Sequence, residues 1–473
     1  MIKTGLKLAL LTGLVAGCSL APSYQRPAAP VPADYPSSSA DGNAAFDIGW
    51  RDYFIDPRLQ ELIAAALLHN RDLRTAALRI EEARAQYRIQ WADRLPNVNG
   101  SMSAARARTP GYLSATGKPA LGERYDAGLN LASFELDFFG RVRNLSDAAL
   151  SLYLASDAAH QAARISLVAE VAKAYFTEGA FAEQYVLAQQ TLAGRRKTYD
   201  LTKRRVDAGA SSRLELRSNE TLLESAHVAA LTLARQREQA HNALNLLVGQ
   251  YAAATAAPPA DSISDAAIDA MSAVPAGLPS ELLVRRPDIG AAELRLKAAN
   301  ANIGAARAAF FPRISLTAAL GSSSPAFSGL FDSGSGNWSF GPQLLLPIFD
   351  AGRLRANLNL SEVRKNMAVA DYEKTIQVAF REVADALAAR SYLGDQVAAQ
   401  RAVQEAQAER LKLLQLRFEN GVSSALDVLD AQRELFGAEQ ALVQARLLRT
   451  SSAIDLYRAL GGGTHETKQQ SDL

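Results

Sequence analysis

Leu426, Asp427, Asp430 and Arg433 follow one another at spacings of one, three and three, which on a helix places all four on nearly one face. Carboxylates that converge in a narrow mouth repel one another and raise their own pKa unless a cation or an arginine compensates. The group therefore suits a constriction that holds charge at a narrow point, and Arg433 fits a bridge to a neighbouring carboxylate. Asp427 stands three residues after Ser424, as Glu215 stands three after Ser212. Both spacings match a capping box, so cap and gate are both open for Asp427. Asp430 has no capping role, and its counterpart in an internal repeat described below is Ser218. Leu426 is open to two readings, seam packing and a hydrophobic plug. Nothing resembles catalysis. His69, His160, His227, His241 and His465 are scattered, and no HExxH, phosphate-binding loop or nucleophile elbow is present. Gly461-Gly462-Gly463 follows a helix end and reads as a cap. No catalytic residue, no metal site and no enzymatic activity are expected.

Cys18 is the remaining reactive position. Lys3 and Lys7 precede an apolar run from Leu8 to Val15, and Val15-Ala16-Gly17-Cys18 is a small-residue processing site ending in the chain's single cysteine. That pattern reads as a bacterial lipoprotein signal, with N-acyl and S-diacylglycerol lipid on Cys18 as the only non-protein group expected. A lone cysteine excludes a disulfide framework and a thiolate metal cluster. Ser19, rather than an aspartate, follows it, a choice that resembles outer-membrane sorting. Removal of residues 1–17 takes two lysines and no acid, so the formal charge falls from +2 to 0, and nucleic acid is not an expected partner. No later segment approaches the ~18 apolar residues of a membrane helix. A membrane crossing would require a β-barrel.

The elements that would position these residues are written twice. Arg205–Ser212 returns as Arg417–Ser424, a shift of 212 that also superposes Gly209 on Gly421 and Gly140-Arg141 on Gly352-Arg353. Upstream, Leu95-Pro96 falls on Phe311-Pro312 with a shift of 216. One shift per segment marks a duplication. The expected plan is a signal peptide (1–17), a lipidated tether rich in Pro, Ala and Ser (18–56), repeat one (57–249), an equatorial segment (250–279), repeat two (280–461) and a tail (462–473). Each repeat contains a helix, a hairpin (about 97–139 and 313–351), a long helix (141–207 and 353–419) and a return helix (212–249 and 424–461). A 67-residue helix is ~100 Å long, and its three-four spacing of small and apolar residues reads as a narrow coiled-coil seam. Gly209 and Gly421 suit left-handed caps, and Ser212 and Ser424 start the return helices. By length, 212–249 stacks with 280–311 and 424–461 with 57–95, which leaves 250–279, tether and tail as a belt at mid-height.

In the hairpins the period is two. Val98, Met102 and Ala104 alternate with Asn99, Ser101 and Ser103, and Trp338, Phe340 and Leu344 with Ser339, Gly341 and Gln343. Lipid on one face and a wet lumen on the other fit this pattern. Four strands cannot close a barrel, which takes about eight, so an oligomer is required.

With this layout, the chain resembles the outer-membrane channels of tripartite efflux pumps, the TolC-like family, in its lipidated OprM-like branch. The resemblance rests on Cys18–Pro27, Glu135–Arg141, Gly277–Ser280 leading into Arg285–Asp288, Ala305–Pro312, Leu346–Phe349 and Leu429–Arg433. It implies a mostly α fold with a membrane β-barrel part: a homotrimer forming a twelve-stranded barrel continuous with a long periplasmic α-helical barrel and an equatorial belt. It also implies a periplasmic adaptor (membrane fusion) protein, an inner-membrane RND-type transporter, and export of small toxic compounds; an exit channel for type I protein secretion is the alternative. Threefold symmetry would repeat each tip side chain around the axis. Leu426, Asp427, Asp430 and Arg433 match the family's periplasmic aperture, and a ring of such carboxylates can select for cations. The tyrosine and arginine of the TolC lock correspond here to Phe418 and Ser423, which lack hydroxyl-ring and guanidinium chemistry.

Overall fold

The structure is a computed structural model that describes residues 19–32, 48–250, 271, 283 and 285–462. Cys18, nearly all of 250–279 and the tail from 463 lie outside the described residues. In chain order the helices are α1 (Trp50–Tyr53), α2 (Pro57–His69), α3 (Arg71–Ala92), α4 (Arg141–Asp207), α5 (Arg213–Val248), α6 (Pro287–Ala308), α7 (Arg353–Glu419) and α8 (Ala425–Ala459). The strands are β1 (Val98–Thr109), β2 (Ala120–Leu136), β3 (Arg313–Ser324) and β4 (Gly336–Leu345). Among the described residues, no helix is long and apolar enough to cross a membrane.

The chain forms two compact units, and neither coincides with a repeat. One comprises 1–28, 79–157 and 291–373; the other comprises 29–78, 158–290 and 374–473. The repeats interleave because the hairpins pair with each other. The sheet order is β1-β2-β3-β4, antiparallel throughout, so β2 of the first copy lies against β3 of the second. Register places Val98, Met102, Leu129, Leu320, Trp338 and Phe340 on one face. Asn99, Ser101, Asp126, Asn130, Ser323 and Asn337 lie on the other, where Asn130 donates to Ser101 (2.9 Å) and Ser323 to Asp126 (2.5 Å). A bulge between Leu131 and Phe134, with Ser133 at φ 53°, bends β2 near its end.

In the same unit, residues 19–28 have no regular secondary structure and are held by α4 and α6. Ser19 donates to Asn144 (2.9 Å), Asn300 donates to the Pro22 carbonyl (2.8 Å), and Arg26 pairs with the buried Glu293 (2.7 Å). A stretch whose composition reads as a free tether is thus held by side chains at three places.

The second unit is built around aromatic packing. Tyr53 stacks on Tyr457 with centroids 4.0 Å apart and Phe54 meets both edge-on; Trp50, Phe54, Leu59 and Ile63 are fully buried, each contributing about 1.5–3 kcal/mol. Along α4 the buried surface is broader than a seam: Val168, Ala169, Val171, Ala172, Tyr175 and Phe176 are all buried. The cause is contact from several sides, with Asp56 accepting from Tyr175 (2.6 Å), Glu178 meeting His241 of α5, and Lys173 pairing with Asp455 of α8.

Two expectations are corrected here. The first helix is not continuous over 57–95, because Asn70 (ψ 131°) breaks it, accepting from the Leu73 amide and donating to the Leu247 carbonyl. End-to-end partners are also exchanged. The end of α5 abuts the α2–α3 break, and the end of α8 meets the start of α6, where Arg286 donates to the Ala459 carbonyl (2.9 Å). The last carbonyls of a helix need donors, and Asn70 and Arg286 supply them. Length matching could not see this.

Candidate functional site

The predicted site lies at the α7–α8 turn, and its local chemistry explains the backbone. Gly421 takes φ 73°, and the Val422 amide bonds back to the Arg417 carbonyl (2.8 Å), closing the end of α7. Gly209 does the same between α4 and α5 at φ 75°, with the Ala210 amide on the Arg205 carbonyl. Ser424 then accepts from the Asp427 amide (3.2 Å), while the Asp427 carboxylate accepts from the Ser424 amide (3.0 Å) and hydroxyl (2.8 Å). Asp427 is therefore a capping-box acid in this chain. Ser212 accepts from the Glu215 amide (3.1 Å), but the Glu215 carboxylate takes the Ser211 hydroxyl instead. Copy one has the serine cap without the reciprocal box.

The bonds from the Ser424 hydroxyl and then its amide hold the Asp427 carboxyl below its ordinary value. A depressed carboxylate stabilises the fold above its unfolded pKa, about 3.9, and that contribution is lost as pH falls through the folded value. Amide protection over 425–429 is thus expected to weaken on strong acidification. In Asp427→Asn it should start lower at neutral pH and show a flatter acid dependence; hydrogen exchange read at these amides checks both.

Asp430 is bound on both sides. Arg433 of the same helix donates to it at 2.7 Å, and Arg410 of α7 approaches at 3.5 Å. Arg433 also reaches Glu434 (3.2 Å). Arginine compensation, rather than repulsion between bare carboxylates, is what one chain displays. Arg195 of α4 lies behind this group, 5% exposed, donating to the Leu429 carbonyl at 3.4 Å. Burial first, and then the Arg433 guanidinium, push its pKa down. Leu426 is 70% exposed, so it is not seam packing within its own chain. Asp427 and Asp430 thus separate in role, one tied to the turn and the other bridging α7 to α8.

Arg410 and Arg195 escape a reading based on local spacing. Arg410 and Asp430 lie eleven and nine residues from Gly421, and a helical hairpin brings such positions opposite each other. That symmetry about the turn is the signal for Arg410. The copy-one counterparts of Arg410, Asp430 and Arg433 are Thr198, Ser218 and Thr221. Each of these bonds back to its own helix, to the carbonyls of Gly194, Leu214 and Arg217. The charged bridge therefore exists at only one of the two turns. Among the described residues, no cluster of three His, Cys, Asp or Glu side chains has the geometry to hold a metal.

The family model described as "Outer membrane efflux protein" matches residues 62–250 and 278–462, which take in both repeats. The antibiotic efflux pump outer membrane protein ArpC of Pseudomonas putida is 47% identical over all of this chain and 98% of its own length. The toluene efflux pump outer membrane protein TtgC of the same species matches with the same identity and coverage. Among solved structures, the open state of the MtrE outer membrane channel of Neisseria gonorrhoeae superposes with a TM-score of 0.84 at 43% identity, covering 94% of this chain and 99% of that one.

Proposed function

This chain belongs to the outer membrane efflux protein family, and we propose that it is the exit duct through which a tripartite pump expels antibiotics and organic solvents across the outer membrane. The carrying observation is the sheet. Among the described residues, one chain supplies four antiparallel strands and leaves β1 and β4 as open edges. Edges are not tolerated in lipid, and four strands are half of the smallest closed barrel. Three chains joined edge to edge give twelve strands, with the apolar face carrying Met102, Leu129, Trp338 and Phe340 turned to lipid and the serine–asparagine face turned to water. The helices extend on the periplasmic side, where an adaptor protein and an inner-membrane proton-coupled transporter of the RND type engage the duct. The role is transport: the duct conducts passively, and its energy comes from the transporter.

The Arg410–Asp430–Arg433 bridge acts as the latch of the periplasmic aperture, with Leu426 projecting beside it; its geometry and its restriction to one of two equivalent turns support this role. Cys18 carries the lipid that anchors the mature N-terminus, a reading supported by the processing site before it and by the bonds that hold Ser19 to α4 and Pro22 and Arg26 to α6. Protein secretion is the less favoured cargo, since ArpC and TtgC carry efflux names.

In a strain lacking the gene, dye and antibiotic retention should rise, and the intact gene should restore export. Unchanged export, with the protein present in the outer-membrane fraction, would overturn the drug and solvent assignment.

A further inference from the structure

We propose that the outer end of the β1–β2 hairpin is a binding site for the phosphate groups of an outer-leaflet lipid, formed by Arg106 and Arg108. The inference rests on the outer-membrane reading above. Register fixes the face: Val98 pairs with Leu131, Met102 with Ala127, Ala104 with Tyr125, Arg106 with Glu123 and Arg108 with Leu121, without a shift. Side chains at every second position share a face, so Arg106 and Arg108 stand on the lipid side, in line with Val98 and Met102. Arg106 and Arg108 lie eight and ten residues beyond Val98, a rise of about 20 and 25 Å along the barrel axis at ~3.3 Å per residue and a strand tilt of about 40°. The apolar band of an outer-membrane barrel is about 25 Å tall. The two guanidinium groups therefore leave the apolar band where headgroups begin, at the end away from the helices.

A charge turned toward lipid is costly in the band and inexpensive at its rim. Two arginines at the rim, above a stretch of the face that carries Val98, Met102, Leu129, Trp338 and Phe340, match a phosphate anion in that layer, because guanidinium groups bind phosphate bidentately. Arg106 also pairs with Glu123 (3.1 Å), and Lys118 is exposed in the connecting turn. Arg124 pairs with Asp126 (2.9 Å) on the opposite, water-facing side and takes no part. With Glu123 counted, Arg106, Arg108 and Lys118 leave the rim of this hairpin net positive. The ligand is a phosphorylated glycolipid whose acyl chains lie along Met102 and Leu129.

The test uses the purified full-length trimer and diphosphorylated lipid A as probe, with dephosphorylated lipid A as comparison and binding followed by native mass spectrometry. The unaltered protein should retain the phosphorylated form at least about tenfold better, a difference of about 1.4 kcal/mol. The double variant Arg106→Ser, Arg108→Ser should lose that preference, while Arg124→Ser should keep it. Equal retention of both lipids by the unaltered protein, or an unchanged preference in the double variant, would overturn the site. Should the double variant not assemble, Arg108→Glu alone serves, and an unchanged preference there overturns the site equally. A heat-modifiable trimer band from outer-membrane fractions tests the underlying reading separately: its absence removes both, whereas its presence with no phosphate preference removes the lipid site alone.

Discussion

Replacing Gly249 with alanine should remove most of the assembled protein from the outer membrane, while Gly209→Ala should leave it nearly intact. Both glycines sit at φ near 75°, where a side chain costs roughly 1–2 kcal/mol. Their surroundings differ. At Gly209 an added Cβ meets nothing within 4 Å. At Gly249 it would lie 2.7 Å from the His69 carbonyl carbon and 3.0 Å from the Asn70 nitrogen. Both are backbone atoms that cannot swing aside. Relief requires α5 to withdraw from the α2–α3 break, which breaks the Asn70–Leu247 hydrogen bond, worth about 1 kcal/mol, and opens the packing of α2 on α5. A total of about 3–5 kcal/mol falls among the largest single-residue effects and is a large share of a stability of about 5–15 kcal/mol. Trimer yield on unheated gels and thermal unfolding of whatever assembles would measure it. Equal losses in the two variants would show that the junction does not carry this load.

The second large effect is expected from Asp430→Ala, in conductance rather than stability. Its removal leaves Arg410 and Arg433 facing each other across the α7–α8 hairpin with the buried Arg195 behind, three cations without the carboxylate between them. Each exposed pair is worth about 0.5 kcal/mol. Two pairs per chain in three chains give about 3 kcal/mol, or on the order of a hundredfold in the balance between closed and open apertures. Planar-bilayer recordings should show higher conductance and longer open times. Asp427→Ala, which disturbs only the cap of α8, should leave conductance near that of the unaltered channel. Similar gains in both variants would assign the effect to loosening of the turn and remove Asp430 from the latch.

The contrast between these carboxylates shows what the sequence can carry. Asp427 and Ser424 are three residues apart, so their box is local and its spacing announces it. The same holds for Gly209 and Gly421, and for the alternation of Val98, Met102 and Ala104, which register places on one face. The break at Asn70 is different. Asparagine within a good helical stretch is ordinary; what ends the helix there is a carbonyl supplied by Leu247, 177 residues away. Arg286 satisfies Ala459 in the same long-range manner. The exchanged stacking partners follow from these two bonds, which helix lengths do not encode. Arg26 and Glu293 likewise turn a proline-rich tether into a seated strap through a pair separated by 267 residues. Local rules expose caps, turns and faces; junctions depend on which distant donor meets which orphaned carbonyl.

The open edges β1 and β4 also bear on how the cell sets the number of its ducts. A chain that has left the ribosome but found no companions offers two unpaired strands, a form prone to aggregation and cleavage. Where clearance of unassembled chain outpaces assembly, free chain follows synthesis and completed channels rise as its third power, so halving synthesis would cut the channels about eightfold. A barrel closed by a single chain responds only in proportion. Modest changes in transcription would therefore move the cell steeply between a sealed and a leaky envelope, and gene dosage becomes a sharper control over tolerance to toxic compounds than affinity at any single residue.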